Sequence, residues 1–425
     1  MDQVEVPPYF LCPITLEIMK DPVTISSGIT YDRESIEKWM FSRDNSTCPV
    51  TKQVISDSEL TPNITVRRLI QSWCVLHASH GVERYPTPKA PVSKPQLLKI
   101  FKDAKSPQTQ MKCLQRLKSI AFENETNKIC MEKAGTADFL ASLIVKQILV
   151  ESSIEESEDL SELARIRDEA LCILVHLQLS ESGLKSLLRN NGDQFIESLM
   201  HIIQRGSYES RAYAVMLLKS MFEVVDDVND PTELTILKPE FFIELVQILK
   251  DQISQKASKS SLKILTIVCP WGRNKIKAVE AGAVSSLIDL LLDTSNKRAC
   301  EMMLTVLDFL CQCAEGRAEL LKHSAGLAIV SKKILRVSQV ASERGVRILH
   351  SISKFSASHR VLQEMLQIGA VTKLCLVLQV NCGTKTMKTA GAILKLHARS
   401  WKNSPCVPME LLDSCPSRYS DGIRG

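Results

Sequence analysis

A chain of 425 residues exceeds what one hydrophobic core usually serves, so several domains or a repeat array are expected. Apolar residues make up 44% and charged residues 24%, which is typical of a core-forming protein, and aromatics at 5% favour a Leu-rich helical architecture. The net charge of +5, without a long Lys/Arg run that alternates with aromatics, argues against nucleic acid as a partner.

The first residues of the chain and its cysteines indicate in which part of the cell the protein resides. Residues 1–5 are acidic and lack an apolar signal region, and no stretch of about 18 uninterrupted apolar residues occurs. Most of the 14 cysteines fall inside apolar helical patterns, as small buried side chains do. We therefore expect reduced cysteines, no integral membrane segment and a cytoplasmic protein, with the nucleus also open.

Residues 1–80 are predicted to form a small module of short strands and two helices. The segments 23–26 and 29–31 are β-prone and flank Ser27-Gly28, which is typical of a hairpin turn. Asp32 is then predicted to cap a helix, and a second helix begins near Asn63. The apolar stripes of these helices are Ile36, Trp39 and Met40, then Val66, Leu69, Ile70 and Trp73.

Zinc is the alternative way to hold such a module together. Two closed tetrahedral sites need about eight Cys or His ligands in paired spacings. Only five occur through residue 80, with no Cys-x-x-Cys pair: Cys12, Cys48, Cys74, His77 and His80. We expect no metal and no cofactor. Polar side chains are the candidates for bracing the loops, although plain surface and capping roles stay open for each: Asp21, Ser27, Asp32, Arg33, Asn45 and Thr47.

A proline-rich linker is predicted at residues 81–95, and the chain repeats itself from residue 96 onward. Gly282, Gly326 and Gly369 each precede a similar apolar stretch, at intervals of 44 and 43 residues. One unit reads as a short helix at 274–280, a Gly-led helix at 282–292 and a longer amphipathic helix at 296–313. Three helices in about 40–47 residues are typical of armadillo or HEAT repeats.

The same register extends backward to three further predicted helix starts, at Pro239, Gly192 and Gly135. About six or seven units result, with a solvated acidic loop at 151–162 and a tail at 401–425. Because no unit can bury its apolar face alone, we expect the units of residues 96–400 to stack into an α-solenoid with an extended binding surface.

Five separated motifs of the first module together resemble a U-box, the zinc-free relative of the RING finger. They lie at residues 9–14, 21–23, 27–33, 48–51 and 60–63. The whole chain resembles the plant U-box/armadillo ubiquitin ligases, especially the group numbered twenty-two to twenty-four, through segments such as 205–213, 269–278 and 312–319. The implied fold class is mainly α, with a small α+β U-box followed by an α-solenoid of armadillo repeats.

The resemblance implies an E3 ubiquitin-protein ligase. Its U-box would recruit a ubiquitin-charged conjugating enzyme and promote transfer to lysines of substrates and of itself, without a covalent ubiquitin intermediate. The implied conjugating-enzyme surface is Ile14, Leu16, Trp39, Pro49 and Val50, and the implied structural residues are Cys12, Pro13, Asp21, Pro22, Gly28, Asp32 and Arg33. Core packing stays an alternative for Trp39 and Ile14.

Lys52 departs from the family pattern. Many relatives have an Arg there that bridges ubiquitin and the conjugating enzyme, and a Lys cannot form the same planar fork. The resemblance further implies a role in plant stress and immune signalling through proteasomal turnover. It leaves a U-box homodimer open.

The armadillo repeats are implied to bind substrates. Candidate contacts, each with a solvated or packing role as the alternative, are Trp271, Arg273, Lys332, Lys333 and Arg336. A non-catalytic scaffold, whose U-box only recruits a partner, is the alternative function for the whole chain.

Overall fold

We describe the protein from a computed structural model. The described residues are 6–42, 47–55, 60–77, 92–151, 159–225, 237–380 and 382–402. Several predicted features lie outside them: Asn45, the linker prolines Pro86, Pro88 and Pro91, residues 152–158 of the acidic loop, and the tail from residue 403.

The described residues divide into two compact units. The first contains those up to Leu140 together with His176–Gln178, and the second contains Ala141–Val175 and those from Leu179 onward. Each unit is described by itself.

The first unit begins with a 3₁₀ turn at Pro8–Phe10 and an antiparallel sheet of β1 (Pro22–Thr24), β2 (Thr30–Asp32) and β3 (Thr61–Pro62), in the order β2-β1-β3. Val23 pairs with Tyr31 on one side and with Pro62 on the other. Gly28 has a φ of +80°, which the turn between β1 and β2 needs. Helix α1 (Arg33–Ser42) follows β2, and α2 (Ile64–Leu76) follows β3.

Helix α2 shows how local sequence fixes an element. The Asn63 carboxamide oxygen accepts the Val66 N–H at 3.0 Å and so caps the helix, while its nitrogen donates to the hydroxyls of Thr24 and Thr30. Ile70 and Cys74 turn into the core, whereas Leu69, predicted to belong to the apolar stripe, is 50% exposed. The helix therefore packs through a narrower face than the periodicity indicated.

The other described helices lie from residue 94 onward. They are α3 (Lys94–Asp103), α4 (Pro107–Glu123), α5 (Glu125–Lys133), α6 (Thr136–Glu151), α7 (Asp159–His176), α8 (Glu181–Arg205), α9 (Tyr208–Val225), α10 (Pro239–Asp251), α11 (Gln255–Val268), α12 (Asn274–Glu280), α13 (Ala283–Asp293), α14 (Lys297–Leu310), α15 (Ala314–Lys322), α16 (Gly326–Lys333), α17 (Gln339–Phe355), α18 (His359–Gln367), α19 (Ala370–Gln379) and α20 (Thr384–Leu396), with a last 3₁₀ turn at Ala398–Trp401.

The predicted three-helix unit is present in the second compact unit. Helices α12, α13 and α14 match the predicted short, Gly-led and long helices, and Gly282 precedes α13 with a φ of +82°. Asn296 caps α14 by accepting the Ala299 N–H. The third helices of successive units, α9, α11, α14, α17 and α20, pack side by side in that order.

Four predicted boundaries were wrong. Gly192 does not open a helix, because α8 runs through it without a break. Lys94 and Pro95 already belong to α3, since Ser93 caps that helix, and residues 159–162 are the first turn of α7. Trp401 is 1% exposed, and its Nε1 donates to the Leu362 carbonyl at 3.2 Å, so it belongs to the core and not to a tail.

Among the described helices, none is by itself both long and apolar enough to cross a membrane. One pair bent by 65°, His359–Gln367 with Ala370–Gln379, meets the length and composition criteria only when taken together.

Candidate functional site

Two loops of the first module share one sequence pattern and one backbone geometry. Residues 12–18 and 48–54 both read Cys-Pro-(Ile/Val)-Thr-(Leu/Lys)-(Glu/Gln)-(Ile/Val). In each loop the Cys N–H donates to the carbonyl of the Glu or Gln, Glu17 or Gln53, at 2.8 Å. The N–H of the residue before it, Leu16 or Lys52, donates back to the Cys carbonyl, at 2.8 and 2.9 Å. A β-bridge closes each loop, Leu11 with Ile18 and Thr47 with Val54. The loops are thus structural equivalents.

The two cysteine sulfurs lie at the centres of these loops and accept hydrogen bonds. The Asp32 N–H donates to Cys12 Sγ at 3.3 Å, and the Ser27 hydroxyl and Thr51 N–H donate to Cys48 Sγ at 3.3 and 3.4 Å. The Tyr31 hydroxyl lies 3.1 Å from Cys48 Sγ. These hydrogen bonds therefore tie both loops to β2 and to the turn that precedes it.

The sulfur environments shift the acidity of both thiols. Burial raises the pKa of Cys48, but hydrogen bonds from Ser27, Thr51 and Tyr31 outweigh it and lower the pKa to about 6. Burial also raises the pKa of Cys12, but hydrogen bonds outweigh it and lower the pKa, the largest contribution among them coming from the Asp32 N–H. Within the described residues, no group of three or more His, Cys, Asp or Glu side chains is placed to hold a metal ion.

Adjacent residues of β2 hold the two loops together. Tyr31 reaches the second loop, where its hydroxyl oxygen also accepts the Val50 N–H at 3.3 Å, while the Asp32 N–H reaches the first loop. Sequence reasoning missed Tyr31. Its signal was present, since a tyrosine in a buried strand needs a partner for its hydroxyl.

The predicted polar braces are close together at the start of α1. Arg33 Nε donates to Asp21 Oδ2 at 2.6 Å, and Asp32 Oδ1 accepts the N–H groups of Lys20 and Asp21 at 2.8 and 2.9 Å. The prediction that Asp32 caps α1 was wrong, because among the described residues its carboxylate bonds only to the loop before β1. Pro22 is buried at the start of β1, and Pro13 is exposed in the first loop.

The predicted apolar surface is only partly exposed. Leu16 is 73% and Val50 53% exposed, whereas Ile14 and Trp39 are half-buried against the module's core. Pro49 is half-buried as well. Trp39 Nε1 donates to the Thr47 carbonyl at 2.9 Å, which ties α1 to the second loop. Trp39 therefore packs against the module's core and still exposes part of its side chain to solvent.

Lys52 lies beside this surface. Its Nζ is 5.8 Å from the centroid of the Trp39 ring, within the range of a cation–π contact. Its side chain is exposed, and its φ of +60° matches the φ of +59° at Leu16 in the first loop.

The opposite side of α1 carries a buried acid that sequence reasoning also missed. Glu37 is 3% exposed and accepts a hydrogen bond from the Thr126 hydroxyl at the start of α5. Burial raises the pKa of Glu37 to about 7, although Arg33 Nη1 at 3.8 Å works against the rise. An acidic side chain within an amphipathic helix gave no sign of this contact.

The predicted substrate residues of the repeats belong to two successive units. Trp271 and Arg273 precede α12, Lys332 and Lys333 end α16 in the next unit, and Arg336 follows that helix. Arg273, Lys332 and Arg336 are exposed, and Trp271 is half-buried. Lys333 is 9% exposed and donates to the Thr294 carbonyl at 3.0 Å, so its prediction as a substrate contact was wrong.

Comparisons with known proteins agree with this architecture. The family model described as a U-box domain matches residues 6–79, and the one described as the plant U-box protein ARM repeat region matches residues 96–417. E3 ubiquitin-protein ligase PUB22 of Arabidopsis thaliana is 54% identical in an alignment 439 residues long, which covers 98% of this chain and 100% of PUB22.

Two further Arabidopsis thaliana relatives match over almost their full lengths. E3 ubiquitin-protein ligase PUB23 is 55% identical, covering 98% of both chains, and E3 ubiquitin-protein ligase PUB24 is 36% identical, covering 97% of this chain and 96% of PUB24. The predicted family and fold class are confirmed, and the chain belongs to the plant U-box proteins with an armadillo-repeat region.

Proposed function

We propose that the two equivalent loops and Trp39 form the surface that binds a ubiquitin-charged conjugating enzyme. The chain is an E3 ubiquitin-protein ligase of the U-box type, and such a ligase has a conjugating enzyme as its partner. The carrying observation is that β2 and Trp39 join two loops of the same geometry, and that each loop exposes an apolar side chain, Leu16 at 73% and Val50 at 53%.

The chemistry needs no nucleophile from this chain. Cys12 and Cys48 are 0% exposed, so neither thiol is accessible to a thioester. The module instead restricts the motion of the bound conjugating enzyme and its ubiquitin, and the rate gain comes from positioning. Lys52 is the positioning residue proposed for ubiquitin, because its ammonium group borders the apolar surface beside Trp39.

The armadillo repeats hold the protein substrate in this proposal. Family membership supports a role in plant stress and immune signalling, in which marked proteins are degraded by the proteasome. It also supports action in the cytoplasm or nucleus. A U-box homodimer would add a second conjugating-enzyme surface to the same scheme.

The test is self-ubiquitination by the purified full chain with activating enzyme, conjugating enzyme, ubiquitin and ATP. The module offers a matched control, because Leu76 and Val75 of α2 are 75% and 53% exposed, close to Leu16 and Val50. Leu16→Glu/Val50→Glu should abolish the ubiquitin ladders, and Leu76→Glu/Val75→Glu should keep them. Ile14→Ala and Pro49→Ala should also weaken them.

Two outcomes would overturn the proposal. Ladders that survive Leu16→Glu/Val50→Glu would place the conjugating enzyme elsewhere. A chain that yields no ladders with a broad panel of conjugating enzymes would act as a scaffold. Circular dichroism of each variant separates a lost surface from a lost fold.

A further inference from the structure

Three neighbouring third helices of the second unit enclose a groove. Helix α11 lies in the middle and packs against both α9 and α14. The depression between them has a volume of about 560 Å³, and all of its lining residues come from these three helices. Its lining includes Met216 and Met302, whose flexible thioether side chains adapt to irregular apolar partners.

The middle helix lines this groove with a stripe of lysines. Lys256, Lys259 and Lys263 are three and four residues apart, so they share one face of α11. Lys256 and Lys259 are exposed, and Lys263 is half-buried. Among the residues that the structure describes, no carboxylate or other acceptor bonds to any of the three ammonium groups.

The other charges of the groove do not neutralise this stripe. Lys219 on α9 pairs with Glu223 of the same helix at 2.6 Å. Glu301 on α14 is the remaining acid of the lining, within 4 Å of no lysine of the described chain. Four lysines against two glutamates leave the groove with a net charge of +2.

Three of the four hydroxyl side chains that line the groove donate a hydrogen bond within their own helices. Ser220 donates to the Met216 carbonyl, Thr266 to the Leu262 carbonyl and Thr305 to the Glu301 carbonyl, at 3.2, 2.8 and 2.8 Å. The three α11 lysines are therefore available to a ligand of opposite charge, and Glu301 is the single unpaired acid among the described lining residues.

Another groove along the row differs in charge. The groove at α14, α17 and α20 is lined by two cations, Arg347 and Lys385, and by two acids, Asp308 and Glu343, and Arg347 Nε lies 2.8 Å from Asp308. Arg344 Nη1 is also paired with that carboxylate, at 2.9 Å. A net positive charge is thus a property of the α9–α11–α14 groove that this second groove does not share.

We infer that the α9–α11–α14 groove binds an acidic segment of a protein substrate in extended form. This inference rests on the proposed substrate-holding role of the repeats and names the chemistry of the substrate. Carboxylates would pair with Lys256, Lys259 and Lys263, while apolar side chains between them contact Met216 and Met302. None of the described residues that line the groove is aromatic, so nucleic-acid bases have no side chain to stack on, which favours a peptide over a nucleic acid.

The test measures peptide binding to the full chain by fluorescence anisotropy. Three labelled peptides of about ten residues, roughly 33 Å when extended, would span three helices about 10 Å apart. In each peptide Leu alternates with one other residue, which is Glu in the first (the Glu peptide), Gln in the second and Lys in the third. Only the Glu peptide should bind, and its affinity should fall as salt rises from about 50 to about 300 mM, because screening weakens exposed ion pairs.

Variants locate the site. Lys256→Gln/Lys259→Gln/Lys263→Gln should weaken binding of the Glu peptide about tenfold or more, as expected from losing several charge pairs worth about 0.5 kcal/mol each. The control Lys105→Gln/Lys250→Gln/Lys297→Gln removes three exposed lysines outside the groove. It should change the affinity for the Glu peptide less than about twofold. Equal effects of both triple variants, or equal binding of the Gln or Lys peptide, would overturn the inference.

Two further measurements separate the possible failures. An oligonucleotide of about ten deoxythymidines that binds more tightly than the Glu peptide would show a general polyanion site and overturn the peptide assignment. Self-ubiquitination should be unchanged in the α11 triple variant, because the U-box is intact. If the ladders are present and the Glu peptide does not bind, the groove inference fails while the ligase proposal stands.

Discussion

Leu16 and Lys52 occupy the same position in two loops of matching backbone, with φ angles of 59° and 60°. A left-handed conformation is costly for both side chains, and each loop accepts it because its closing hydrogen bonds require it. The first loop thereby presents an apolar side chain and the second a cation. The same scaffold offers two different contacts at equivalent places.

Lys52→Arg should raise the rate of ubiquitin discharge from the conjugating enzyme several-fold. A guanidinium group can form the planar, two-pronged contact that an ammonium group cannot, and it keeps the cation near Trp39. Single-turnover discharge onto free lysine measures the effect. Lys52→Ala should lower the rate with little change in the affinity for the conjugating enzyme, and an unchanged rate in both variants would remove Lys52 from the mechanism.

Metal chelation should leave the module intact. Cys12 and Cys48 accept hydrogen bonds from Asp32, Ser27 and Thr51, so the loops are held without a cation. Incubation with EDTA or phenanthroline should change neither the melting temperature nor the ubiquitin ladders. A lower melting temperature or a loss of the ladders, reversed by added zinc, would contradict the interpretation that hydrogen bonds to the two sulfurs hold the loops.

Cys48→Ala should destabilise the module by about 2 kcal/mol, because the Ser27 and Tyr31 hydroxyls and the Thr51 N–H would all lose a buried acceptor. Cys48→Ser, which keeps an acceptor of smaller size, should cost about half as much. Hydrogen–deuterium exchange in β2 reports the change locally. Cys113→Ala, at a half-buried helical cysteine, serves as the comparison.

Repeat periodicity could be predicted in detail because glycine, proline and asparagine mark the helix ends. Gly282 supplies a left-handed residue before α13, and Asn296 caps α14, so local chemistry alone sets those boundaries. Gly192 misled the same reasoning. Glycine is tolerated inside a helix when packing compensates for its entropy, and sequence does not reveal that packing.

Site residues were predictable where one motif fixes both sequence and geometry, as in the loops that begin at Cys12 and Cys48. Long-range partners were not predictable. Asp32 bonds to the N–H groups of Lys20 and Asp21 instead of capping α1, and Glu37 reaches Thr126, 89 residues away. Nothing in the local pattern of either acid distinguishes such a partner from solvent.

Lys333→Met should destabilise the second unit by about 1–2 kcal/mol, since the Thr294 carbonyl would lose its charged donor. Lys373 makes the same contact one unit later, donating to the Ile334 carbonyl at 3.0 Å, so the lysine links successive repeats. Lys332→Met is the matched control and should stay within about 0.5 kcal/mol of the parent. Equal stabilities of the two variants in urea unfolding would contradict this linking role.

Glu37 should make the packing of α1 against α5 depend on pH. Its pKa rises from 4.5 to about 7 on folding, so the folded state binds a proton that the unfolded state releases between these values. Stability from this group is complete below pH 4.5 and is lost as the pH rises through about 7, by roughly 3 kcal/mol at most.

The measurement is hydrogen–deuterium exchange of α1 in the full chain at several pH values, corrected for the intrinsic exchange rate. Protection of α1 should fall as the pH rises from 4.5 to about 7, the interval between the unfolded and folded pKa values of Glu37, and should level off above it. Glu37→Gln cannot ionise but still accepts the Thr126 hydroxyl, so its protection should stay level. The same pH slope in parent and variant would mean that another group, and not Glu37, titrates at this contact.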